Sequence, residues 1–99
     1  MTDYAAARQG HVRLAILRHL EASTEYTSNS SILADVLRGV GLPSTRDQVA
    51  GECAWLQEQG LAGVAGDGAF AVGRATIRGV ELAQGVAAHP GVQRPRPKL

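Results

Sequence analysis

The sequence predicts a small α+β domain, mostly α, with three helices, a two-stranded β-hairpin and a C-terminal helix, followed by a basic tail. Three observations carry this reading. Strong helix formers with apolar residues at helical spacing fill the segments 3–22, 32–40 and 44–59. Gly41, Leu42, Pro43 and Ser44 separate the second segment from the third, leaving room only for a tight turn. Beyond Gly60 the period changes to short apolar runs, 61–64 and 70–72, flanking Asp67-Gly68, the strongest short hairpin signal.

The first helix places Val12, Ile16, Leu17 and Leu20 on one face, with Leu14 well to its side. So wide an apolar arc suggests two surfaces to cover, one against the domain and one against a second subunit. The polar stretch 23–31 reads as a connector ending in an N-cap at Asn29 or Ser30. Ile32, Leu33, Val36, Leu37 and Val40 then form the expected buried stripe of a short second helix, which Gly41 ends in the left-handed conformation. Pro43 forbids continuation, and Ser44 is the expected N-cap of the third helix, with Asp47 at its third position. That helix carries Val49, Cys53 and Leu56 inward, Trp55 at the edge, and stops at Gly60. Thr76 is placed to cap a fourth helix bearing Val80, Leu82, Ala83, Val86 and Ala87, which fades before Pro90.

Helix, helix, tight turn, helix, hairpin, helix is the order of a winged helix-turn-helix, whose third helix is offered to a major groove and whose hairpin is the wing. The segment 42–61 (LPSTRDQVAGECAWLQEQGL), then 75–79 (ATIRG) and 90–95 (PGVQRP), resembles a family of small winged-helix proteins of Mu-like transposable bacteriophages. Members are commonly labelled ArsR-type transcriptional regulators. The resemblance spans nearly the whole chain and implies a winged helix-turn-helix of phage origin. Ala75 departs from related winged helices, which usually carry Leu before the equivalent of Thr76.

Charge is uneven. Through residue 88, seven arginines face nine carboxylates, whereas 89–99 adds Arg94, Arg96 and Lys98 with no acid, among Pro90, Pro95 and Pro97. The chain accordingly divides into a domain, 1–88, and an extended, mobile tail, 89–99, suited to phosphate or an acidic protein face, or to keeping the terminus solvated. The candidate DNA-binding residues are Thr45, Arg46 and Gln48 on the third helix, Arg74 and Arg78 beyond the wing, and Arg94, Arg96 and Lys98 in the tail. Against strong binding stand Asp47, Glu52 and Glu58 on the same helix and a wing tip, 65–69, with no basic residue. The expected function is therefore a homodimeric DNA-binding protein or transcriptional regulator, joined through its first and fourth helices. The alternative is a winged-helix adaptor that binds a host or phage protein.

Other classes find little in the residues. Cys53 is the single cysteine, and His11 and His19 stand eight apart, so no disulfide, thiolate zinc site or metal sensor of the ArsR type is expected, and no cofactor. No nucleophile has a recognisable base, and no Gly-rich loop precedes a helix with a following Lys, so the chain does not read as an enzyme. Apolar runs are too short for a membrane span and the first residues lack a signal-peptide pattern, which reads as a soluble cytoplasmic protein.

Overall fold

The computed structural model describes residues 3–66 and 71–96. Four helices and a three-stranded antiparallel sheet follow the order α1 (Tyr4–Ala22), β1 (Thr27–Asn29), α2 (Ser30–Gly39), α3 (Arg46–Glu58), β2 (Ala62–Ala65), β3 (Val72–Ala75) and α4 (Ile77–Ala83). The architecture is α+β and mostly helical. The expected turn residues Asp67 and Gly68, with Phe70, lie outside the described residues.

α1 is the central rod. Asp3 caps it by accepting from the Ala5 and Ala6 amides, and its apolar residues pack on α2, α4, β1 and β3. Leu14, expected to need a second subunit, is 7% exposed within the single chain, so the wide arc of α1 is covered by the molecule itself. Ile16, Leu17 and Leu20 meet Leu33 and Leu37 of α2, Val49, Cys53 and Leu56 of α3, and Leu61 and Leu82 in one continuous core.

α2 is capped by Asn29, whose Oδ1 accepts from the Ile32 amide at 2.9 Å. Its stripe is narrower than the spacing suggested: Leu33 and Leu37 are buried, but Ile32 and Val40 are 47% and 59% exposed. At its end Gly41 adopts φ +81, its amide donates to Arg38 O, and the Leu42 amide donates to Leu37 O. This pair of reversed bonds satisfies the last carbonyls and turns the chain sharply. The turn is pinned from outside by Arg8, whose Nη2 donates to Pro43 O at 2.6 Å.

The sheet has the order β1-β3-β2, one strand more than the expected hairpin. Thr27 pairs with Arg74 and Asn29 with Val72, while on the other side Gly63 pairs with Arg74 and Ala65 with Val72. Gly73 and Ala75 face inward, and their small size brings β3 close to Leu20 and Cys53. α4 is shorter than expected. Thr76 caps it as anticipated, but Gly85, at φ +80, ends it, leaving Val86 and Ala87 beyond the helix and Val86 exposed.

The tail differs most from expectation. Through residue 96 it lies on the domain, so the division at residue 88 does not describe the packing. Val92 is 5% exposed and belongs to the core, and the Gln93 amide donates to Gly10 O at 3.1 Å. Lys98 lies outside the described residues.

Candidate nucleic-acid interface

α3 begins one residue later than Ser44 predicts. Thr45 is the N-cap: its Oγ1 accepts from the Gln48 amide at 3.1 Å, and Gln48 Oε1 accepts from the Thr45 amide at 2.9 Å. This reciprocal pair satisfies two of the helix's unbonded amides. Ser44 instead turns inward on the connector, donating from Oγ to Leu42 O at 3.0 Å. Two of the three residues expected to read DNA are thus occupied in holding the helix start, although Gln48 keeps its amide N–H groups. Arg46, at the first helical position, is exposed and forms no ion pair among the described residues.

The opposing charge on α3 is smaller than its sequence suggests. Glu52 points into the domain, where its Oε1 accepts from Arg13 Nε at 2.9 Å, with both side chains about one-seventh exposed. Arg13 neutralises it, leaving Asp47 and Glu58 as the helix's outward acids. The middle of the outward face is bare: Gly51 and Ala54 are exposed and Ala50 is half-buried. A bare face lets the backbone approach a groove closely but offers few side chains to distinguish bases. Beside it a groove of about 380 Å³ runs between α1 and α3, with Arg8 and Gln9 on one wall and Gln48 and Gly51 on the other.

Arg74 sits on the outer face of β3 between Thr27 and Gly63, and Arg78 on the first turn of α4; both are exposed. Arg94 and Arg96 are not brought to α3. They line a separate cleft with Arg18 of α1 and the end of α4, to which no residue of α3 contributes.

The residues that hold the tail in place were not singled out by the sequence as a group. The Arg13 guanidinium lies 3.7 Å from the centre of the Trp55 ring and donates from Nη1 to Gly91 O at 3.0 Å. His89 packs edge-on against Trp55, with ring centres 5.2 Å apart. Its Nδ1 accepts from the Gly91 amide at 2.9 Å, so Nε2 carries the proton and donates to Gln59 Oε1 at 3.0 Å. An apolar Val92 between two prolines, and a Trp at the edge of the α3 stripe, were the available signals.

Cys53 is a core residue. Burial away from water, with the Glu52 charge adding to it, pushes its thiol from the ordinary 9.0 up to about 11. The unfolded chain gives up this proton at lower pH than the folded one, so the thiol adds nothing to pH dependence below pH 9 and weakens the fold between pH 9 and 11. Denaturation across that window should show a stability loss of about 2 kcal/mol that Cys53→Ala abolishes. Among the described residues no group of three or more His, Cys, Asp or Glu could hold a metal ion, and no helix is long and apolar enough to cross a membrane.

Comparison with known proteins finds the uncharacterized protein gp26 of Escherichia phage Mu, 44% identical over 87 residues, which cover 87% of this chain and 88% of that protein. No family model and no solved structure matches. The likeness supports a bacteriophage origin, and at this identity and coverage the chain belongs to the family of Mu gp26.

Proposed function

We propose that this is a winged-helix DNA-binding protein of a bacteriophage, acting as a homodimer, with α3 presented to duplex DNA and the β2–β3 pair as its wing. The observation that carries the reading is the exposed first turn of α3, set outward by the Pro43 turn and bearing an unpaired Arg46. Supporting it are the compensation of Glu52 by Arg13 and the exposed Arg74 and Arg78 beside the sheet. The bare middle of α3 favours contact with the DNA backbone and shape over extensive base reading. So few cations per subunit make a dimer the effective binder. α1 is already covered, so the fourth-helix region supplies the apolar surface for it, with Ile77 and Val86 80% and 72% exposed. Sedimentation should show a concentration-dependent dimer; a monomer at all concentrations removes this part of the reading.

Mobility-shift titration on phage duplex DNA at low salt tests the central assignment. The wild-type protein should shift the duplex, and Arg46→Ala should bind more weakly, with its salt slope reduced by about 0.9 log units for each subunit's lost phosphate contact. No shift by either protein ends the reading. The apolar residues left open on α2, Ile32 and Val40, support the alternative of a protein-binding adaptor. That reading gains if the protein ignores DNA and retains a partner that Ile32→Asp releases.

A further inference from the structure

The packed tail creates a second basic feature. Val92 is buried against α1, Gly91 O accepts from Arg13, the Gln93 amide is bonded to Gly10 O, and the Pro95 ring lies over Gly85 just past α4. Arg94 and Arg96 flank Pro95 on this anchored backbone, and both face a cleft of about 840 Å³ whose opposite wall carries Arg18. Glu21 is the carboxylate lining the cleft, and its Oε1 accepts from Gln84 Nε2 at 3.4 Å. The ion pairs among the described residues are Arg13–Glu52 and Arg38–Asp35, so none of the three cleft arginines has a carboxylate within ion-pair distance among those residues.

Three arginines that form no ion pair among the described residues line this one cleft from two chain segments about 76 residues apart. Burial elsewhere has already fixed the backbone that carries two of them, so little ordering remains when a ligand arrives. Planar guanidinium forks match the oxygens of a phosphate, which can accept from several at once. We infer that the Arg18–Arg94–Arg96 cleft is a phosphate-binding site, for a phosphate ester or a free phosphate anion, distinct from the α3 surface. It does not rest on the α3 reading and stands or falls separately.

The test uses the 15N-labelled full chain at constant ionic strength, titrated with sodium pyrophosphate and, separately, with a short DNA duplex. Pyrophosphate should move the side-chain signals of Arg18, Arg94, Arg96 and Gln84. Joint replacement by Arg18→Gln, Arg94→Gln and Arg96→Gln, all on exposed side chains, should weaken binding about tenfold or more. Arg46→Ala should leave this binding unchanged, which separates the cleft from α3. Movement by pyrophosphate without the duplex identifies a free phosphate ligand, and movement by the duplex in Arg46→Ala as well identifies the nucleic-acid backbone; either supports the site. The inference is overturned if neither moves these signals, if sodium chloride or a glutamate-rich peptide of equal charge moves them as far, or if the triple variant binds as tightly as wild type.

Discussion

Gly79→Ala is expected to destabilise the domain by about 3 kcal/mol or more, read as a drop in the urea midpoint. A Cβ at this position would overlap the Leu61 carbonyl oxygen and come within 3.2 Å of Leu17 Cδ2. The obstacle is backbone that cannot step aside. The Leu61 amide is bonded to Leu56 O at the end of α3, and Leu61 O accepts from the Thr76 amide at 3.1 Å. Thr76 Oγ1 ties the same junction, donating to Gly60 O at 2.8 Å while accepting from the Gly79 amide at 3.1 Å. α4 therefore meets the α3–β2 corner backbone to backbone. Helix propensity argues the opposite sign, since Ala is favoured over Gly inside a helix by about 1 kcal/mol. A stabilised Gly79→Ala variant would accordingly show that this close packing is absent.

The second large effect is expected at Gly91. A Cβ there would stand 2.6 Å from Trp55 Cζ2 and Cη2 and 3.3 Å from Arg13 Nη1. Trp55 is held by Arg13 over its face and by His89 packed edge-on, so moving the ring disturbs both contacts. Gly91→Ala should therefore lift the tail, exposing Val92 and breaking the Arg13–Gly91 bond, at a cost of about 2 kcal/mol. Limited proteolysis should then cut within 89–96, and Trp55 fluorescence should shift to the red. Unchanged stability and protease resistance would mean that the tail is not clamped by this ring.

Both positions mark where local sequence signals ran out. Several helix starts and stops were legible because caps are local: Asn29, Thr76, Gly41 and Gly60 act within a few residues of the elements they bound. The one-residue displacement of the α3 cap arises because Thr45 completes a reciprocal bond with Gln48 that Ser44 cannot make. β1 was hidden because its stability comes from pairing with β3, some 45 residues away, and its polar residues TSN give no alternation to detect. Gly85 was read through because Val86 and Ala87 continue the apolar spacing, yet a glycine that frees the chain to turn left outweighs that pattern. The tail's prolines correctly excluded a helix but were wrongly taken to exclude packing, since a chain without regular structure still buries Val92 when Arg13 and Trp55 grip its backbone.

The candidate interface was partly legible on the same terms. Arg46, Arg74 and Arg78 are exposed as their positions suggested. Counting the charge on α3 overstated its repulsion, because the partner of Glu52 lies 39 residues away on α1. The position of Arg94 and Arg96 was not legible for the same reason: only the folded backbone shows that they line a cleft with Arg18, away from α3.

The proposed DNA-binding surface comprises the exposed first turn of α3 together with the exposed Arg74 and Arg78. Backbone amide mapping with a short duplex tests it most directly. Signals of residues 45–51 and 74–78 should move together at low salt and return as salt is raised. A duplex that leaves those signals in place, or moves only those of α2, would contradict it.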